Sequence, residues 1–131
     1  MTPDIFTKQL TVPASSIDER GHVNNLVYLQ WCIDAAEAHW VSKTSQAIRE
    51  KCVWYVVNHN ISYLASAFEN ELLELKTWVE KSKGVKSERH YKITRLMDQK
   101  ILVEGQTLWC LLDGKTLRPM RIPDEISTLF H

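Results

Sequence analysis

The chain has 131 residues, 16 basic and 16 acidic side chains and no formal net charge. That length suits a single domain over 1–131 with a real core, in which a deep ligand pocket calls for a second subunit. Cancelled charge leaves no global field to draw the protein to nucleic acid, a membrane or an acidic protein. The three cysteines, Cys32, Cys52 and Cys110, are odd in number, far apart and set in apolar sequence. They read as buried structural thiols in a reducing compartment rather than as disulfides or zinc ligands. No basic stretch followed by an apolar one opens the chain, and no apolar run approaches the roughly 20 residues a bilayer needs. A cytoplasmic location is expected.

Residues 4–12 have the composition of a strand that Pro13 ends, and a loop carrying Asp18 and Gly21 follows. From Asn24 to about Ser42 there is no Gly or Pro, and Ala35, Ala36 and Ala38 favour a helix. At helical spacing Gln30, Asp34 and Glu37 form one narrow polar stripe, while Leu26, Val27, Tyr28, Leu29, Trp31, Cys32, Ile33 and Trp40 fill the rest of the circumference. Leaving such side chains wet forfeits roughly 1.5–3 kcal/mol for each large one, so the helix must be wrapped. A shorter helical stretch is expected from Ser45 to Lys51.

The remainder alternates with period two. Val53, Tyr55, Val57, His59, Ile61 and Tyr63 point one way, and Trp54, Val56, Asn58, Asn60 and Ser62 the other. Leu73, Leu75, Thr77 and Val79, then Tyr91 and Ile93, then Ile101, Val103, Thr107, Trp109 and Leu111 repeat the pattern. The connections at 68–70, 83–84 and 98–100 are too brief for parallel crossovers. The expected architecture is α+β: a curved antiparallel sheet of about five strands wrapped around one long, mostly apolar helix.

Asp18 through Asn25 carries the chemistry. A carboxylate and an imidazole, Asp18 and His22, stand four residues apart around Gly21 just before the helix begins. The first N–H groups of a helix have no partners within it and lie at its positive end, where they can hold an oxyanion. A carboxylate beside such a site can attack a carbonyl or deprotonate a water that does. The same residues also have a bland reading: Asp18 and Asn24 cap the helix, Gly21 supplies a turn with φ > 0, and His22 is a satisfied polar residue.

Asp18-Glu19-Arg20-Gly21-His22-Val23-Asn24-Asn25, followed by Tyr28-Leu29 and Trp31, resembles the signature of hotdog thioesterases of the 4-hydroxybenzoyl-CoA and acyl-CoA thioesterase type. The portion His22-Val23-Asn24-Asn25-x-x-Tyr28 is also similar to plant acyl-ACP thioesterases. The likeness extends to Ile61-Ser62-Tyr63-Leu64, to Leu75 through Glu80 and to Arg118 through Pro123. The resemblance implies the hotdog fold and hydrolysis of an acyl-CoA or acyl carrier protein thioester to a free acid and a thiol, with no cofactor. It makes Asp18 the nucleophile or general base, Asn25 the backbone donor that polarises the thioester carbonyl, and His22 the group that orients carboxylate, water or carbonyl. Gly21 and Asn24 would lie against substrate. A homodimer or homotetramer with the site at a subunit interface is implied as well.

The chain departs from that pattern at three places. Arg20 stands where plant enzymes have Asn, and Asn70 where the family often has Gly. Ile33-Asp34-Ala35-Ala36 replaces a Glu-x-Ala-Arg pattern, leaving Asp34 as the acidic residue available there.

Among weaker candidates, the five tryptophans read as core, whereas Tyr28, beside the motif, is expected at the substrate. His59 lies on an apolar strand face, either as a hydrogen-bonded core residue or as a substrate contact. Lys81, Lys83, Lys86 and Arg89 surround Gly84. Lys83 and Lys86 could receive CoA phosphates or the acidic face of a carrier protein, or the cluster could be a solvated edge. Arg118 and Arg121 are alternative phosphate contacts. No second His or Cys stands at metal-ligand spacing, so no metal is expected. The rival to catalysis is a module on the same fold that binds a thioester or carrier protein without turnover.

Overall fold

Alternating side chains and brief connections produce five antiparallel strands, seen in a computed structural model that describes residues 2–131. The strands are β1 (Phe6–Thr11), β2 (Cys52–Tyr63), β3 (Leu72–Lys83), β4 (Lys86–Arg95) and β5 (Lys100–Asp113). They lie in the order β1-β3-β4-β5-β2, so β1 and β2 are the edges. Helix α1 (Asn25–Lys43) crosses one face, α2 (Gln46–Lys51) leads into β2, and α3 (Asp124–Ser127) closes the chain.

Helix α1 begins one residue later than expected, because Asn24 is its cap: the Asn24 side chain accepts the Leu26 N–H at 2.8 Å. Tyr28, Cys32, Ala35, Ala36 and His39 are its buried residues. Their spacing of i, i+4, i+7, i+8 and i+11 marks the one stripe that meets the sheet. Within a single chain the wrapping is one-sided, since Leu26 stays 73% and Val41 46% exposed.

Inner-face residues Leu73, Leu75, Tyr91, Ile93 and Val103 join Tyr28 and Cys32 in the main core. A second cluster forms around Cys52, Val79, Leu111, Ile122, Ile126 and Phe130. The C-terminal segment thereby closes the far end of the sheet, a role its sequence did not announce. All three cysteines are free and buried.

Strand β2 departs from simple alternation. A bulge between Val56 and Asn58 shifts the register against β5, and the extra residue reverses the sidedness of everything beyond it. Trp54 pairs with Leu111, Val56 with Trp109, His59 with Thr107 and Ile61 with Gly105, so these share the inner face. Val53, Tyr55 and Val57 point outward, apart from His59, Ile61 and Tyr63. The expected single row is thus two half-rows. Gly105 is required where β2 passes: a Cβ there would lie 2.3 Å from the Asn60 carbonyl oxygen and 2.7 Å from Ile61 Cα.

Candidate active site

The segment before α1 is folded back on itself by an Ile17–Val23 bridge. Inside the loop Asp18 N–H donates to His22 O at 3.0 Å and Gly21 N–H to Asp18 O at 3.0 Å. Gly21 sits at φ +83° with open space around the position of a Cβ, so its backbone conformation, not crowding, requires glycine. One carboxylate oxygen of Asp18 is committed: Oδ1 accepts Arg20 N–H at 2.9 Å. Oδ2 lies 3.8 Å from His22 Nδ1, too long for a hydrogen bond, and Nδ1 is buried with no partner among the described residues.

The helix start is fixed from outside. Val23 N–H donates to Ala67 O at 3.0 Å and Asn24 N–H to Ser16 O at 3.2 Å, while Ala67 N–H donates to the Tyr28 hydroxyl at 2.7 Å. Through Ala67 the β2–β3 connection thus holds the chain on both sides of Asn25, at Val23 and at Tyr28. Arg95 braces it in turn: Nη1 donates to Ser66 O at 3.2 Å and contacts Glu71 at 3.4 Å, and Asp98 receives the other side of the guanidinium.

In the first turn, Leu26 N–H goes to the Asn24 side chain and Val27 N–H to Asn24 O at 2.9 Å. The Asn25 N–H has no acceptor among the described residues. A free donor at the positive end of a 19-residue helix, two residues beyond the bridge that anchors Asp18, is an anion-binding geometry.

The family model described as the thioesterase-like superfamily matches residues 12–130. The chain belongs to that superfamily. Thioester hydrolysis, the reaction class its members carry out, is therefore supported for this chain. Among solved structures it is similar to a 1,4-dihydroxy-2-naphthoyl-CoA thioesterase from Synechocystis (TM-score 0.83, 20% identity, 95% of this chain and 94% of that one). It is also similar to a mutant 4-hydroxybenzoyl-CoA thioesterase complexed with 4-hydroxybenzoyl-CoA (TM-score 0.85, 15% identity, 97% and 99%). A third is a hypothetical protein of Staphylococcus aureus in complex with CoA (TM-score 0.85, 15% identity, 98% and 83%). These likenesses establish the hotdog fold. A chloroplastic acyl-(acyl-carrier-protein) hydrolase of Cuphea viscosissima is 25% identical over 84 residues, 64% of this chain but only 20% of that relative's length.

Superfamily membership does not place individual side chains, and several stand apart from the expected site. Tyr28, expected at the substrate, lies in the core of the single chain: it is 1% exposed and its hydroxyl oxygen accepts Ala67 N–H. Removing that oxygen strands a buried donor, so Tyr28→Phe should cost about 1–3 kcal/mol. Chemical denaturation checks this, and an unchanged midpoint would show the bond to be dispensable. Asn24 spends its carbonyl oxygen on the cap, and Gly21 serves the turn. Asp34 is exposed on the polar stripe of α1, where it accepts from Gln30 at 2.8 Å.

His59 lies on the inner face of edge strand β2, its Nδ1 2.7 Å from the Thr107 hydroxyl. Lys83 and Lys86 pair at the β3–β4 turn. Leu72, at the other end of β3, pairs with Thr11 and follows the connection whose Ala67 holds Val23, so Lys83 stands about 36 Å from that end along the strand. A single chain does not bring them together. Arg89, grouped with those lysines by sequence, is 6% exposed and faces inward. Alternation with Ser87, Tyr91 and Ile93 placed it on the inner face; its charge suggested otherwise.

His39, which carried no expectation, is fully buried beside Arg89. Arg89 Nη1 donates to His39 Nδ1 at 2.9 Å and to Thr77 Oγ1 at 3.1 Å. A guanidinium can only donate, so Nδ1 must be unprotonated and the imidazole proton sits on Nε2, 2.7 Å from Asp4 Oδ2. Lys43 also reaches Asp4, at 3.2 Å. Burial holds His39 below the ordinary histidine value, and the bond from His39 holds the Asp4 carboxyl below the carboxylate range.

Both shifts act in one direction. The unfolded chain takes up a proton at His39 once pH falls below the ordinary value of 6.5, while the folded chain resists, so protons favour unfolding. Stability should therefore be complete above that value and decline as pH falls below 6.5, by at most about 1.4 kcal/mol per pH unit for this one site. Asp4 adds a further loss once pH falls below 3.8. His39→Gln keeps a donor and an acceptor but no titration, and its unfolding curves should be flatter over pH 5 to 7. An unaltered slope would remove His39 as the source.

Proposed function

We propose that this protein hydrolyses an acyl-CoA or acyl-ACP thioester to a free acid and a thiol, with Asp18 as the reacting carboxylate. The observation that carries the reading is the unpaired Asn25 N–H at the head of α1, with Asp18 held nearby in a closed loop. The thioester carbonyl oxygen accepts from Asn25 N–H, which stabilises the negative charge that develops as the carbonyl carbon is attacked. Asp18 either attacks that carbon directly or takes a proton from the water that does. The C–S bond then breaks and the sulfur leaves as thiolate; after direct attack the acyl group remains on Asp18 as a mixed anhydride, which a water hydrolyses to release the acid and restore the carboxylate. A thiol pKa near 8.5 makes that departure easy without a strong general acid, which matches a site equipped with one carboxylate and one imidazole. His22, 3.8 Å from Oδ2 with an unused buried nitrogen, closes on the carboxylate or on the water when substrate arrives.

CoA is supported by relatives solved with CoA or a CoA thioester, and a carrier protein by the plant hydrolase. The working unit is a homodimer or homotetramer. Edge strand β2 is unpaired on one side, and Val53, Tyr55 and Val57 are 42%, 61% and 43% exposed, a combination that invites another copy. A reducing compartment such as the cytoplasm fits the free buried thiols.

The test offers short, long, branched and aromatic acyl-CoAs, and acyl-ACPs, to the purified protein while free thiol is followed. Turnover of at least one is expected. None from any CoA or ACP thioester would sink the enzyme reading in favour of a binding module.

A further inference from the structure

A cavity of about 460 Å³ opens between the C-terminal half of α1, the start of β2, the β3–β4 end of the sheet and the C-terminal segment. The α1 residues that line it run from Ile33 to Val41, 8 to 16 residues along the helix from Asn25. At 1.5 Å per residue that is about 12 to 24 Å from the oxyanion donor, so within the chain the cavity lies farther along α1 than the Asp18 loop. Its volume falls in the range of small-molecule pockets. Trp40, Trp54, Val79, Ile122, Ile126 and Phe130 give it apolar walls.

Among these walls stands a buried charge. Arg89 lines the cavity at 6% exposure. Its Nη1 is engaged by His39 and Thr77, and its guanidinium carbon lies 5.7 Å from the Phe130 ring centroid. Nε and Nη2 have no acceptor among the described residues, and no carboxylate forms an ion pair with Arg89. The nearest carboxylate of this network, Asp4, is spent on His39 and Lys43. Two other charged residues line the cavity. Glu37 is exposed on α1, and Arg49 donates to Val41 O, Thr44 O and the Thr44 hydroxyl. A buried guanidinium without a counter-ion is costly, and the cost is offset when an anion enters. Desolvation already lowers Arg89 to about 10.

We infer that this cavity binds an apolar monocarboxylate, whose carboxylate pairs with the free edge of Arg89 and whose hydrocarbon body lies among the tryptophan, isoleucine and phenylalanine walls. The fork of Arg matches a planar carboxylate, and the walls select against a hydrated phosphate. The inference goes beyond the proposed reaction and does not depend on it, although acids of this kind are what thioester hydrolysis releases.

Calorimetric titration of the full chain with octanoate and with 1-octanol tests it, the two probes sharing a chain and differing in charge. Octanoate should bind at least about tenfold more tightly than octanol. Arg89→Met should bring octanoate down to the octanol level and leave octanol within about threefold. Ser127→Trp, at a half-buried lining position, should weaken both probes and answers the question even if Arg89→Met does not fold. Asp18→Asn should bind octanoate as the wild type does. Equal affinities for the two probes, or no octanoate binding, would overturn the inference. So would wild-type octanoate affinity in Arg89→Met or Ser127→Trp, or loss of octanoate binding in Asp18→Asn.

Discussion

Asn25→Pro is expected to lower kcat for thioester hydrolysis by about 100- to 1000-fold, the effect of deleting one oxyanion donor, with little change in stability. Asn25 is the first residue of α1, the position where proline is best accepted because its missing N–H had no helical partner to lose. The preceding Asn24 sits at φ −65° and ψ 138°, within the extended region that a following proline demands. The cap from Asn24 to Leu26 N–H and the Val27 N–H bond are untouched. The substitution therefore removes one hydrogen atom's worth of function and leaves the helix in place. Unfolding curves matching the wild type, together with collapsed kcat, would assign the donor. Full activity in a folded Asn25→Pro would place the oxyanion site elsewhere.

Asp18→Asn should remove turnover by about 100-fold or more, in kcat rather than KM, because the lost group acts on the reacting atoms and not on the body of the substrate. An amide keeps the oxygen that accepts Arg20 N–H at 2.9 Å, so the loop should hold its shape. What disappears is the negative charge needed to attack a carbonyl or to receive a proton. Wild-type kcat in this variant would dismiss Asp18 as the reacting group. A fall in activity matched by an equal loss of folded protein would assign it a structural role only.

The helix, the antiparallel strands and the Asp18 to Asn25 segment were legible because each rests on local rules: periodicity, capping and the lack of Gly or Pro. Asn70, which stands where the family often has Gly, takes φ 68°, a left-handed conformation that Asn tolerates. What escaped the sequence is non-local. Nothing near Ala67 says that its carbonyl will hold Val23 and its N–H will meet Tyr28. That pairing exists only once the β2–β3 connection has been brought against the helix. His39 and Arg89 were obscured for a different reason. Residue type argued for the surface while periodicity argued for the interior, and in the folded chain mutual hydrogen bonding satisfies enough of their polarity for periodicity to prevail.

The bulge at Val57 shows how an inserted residue acts as a sorting device. One strand serves two customers: its first half turns Val53 and Tyr55 outward, and its second half turns His59 and Ile61 inward. Loss of Val57 alone would give an even ladder with Val56 opposite Trp109, Asn58 opposite Leu108 and His59 still opposite Thr107, whereas loss of a paired residue beside it would keep the bulge and slide one half of the strand by a position against β5. What the extra residue adds is a local bend and a third outward apolar side chain, Val57, beside Val53 and Tyr55.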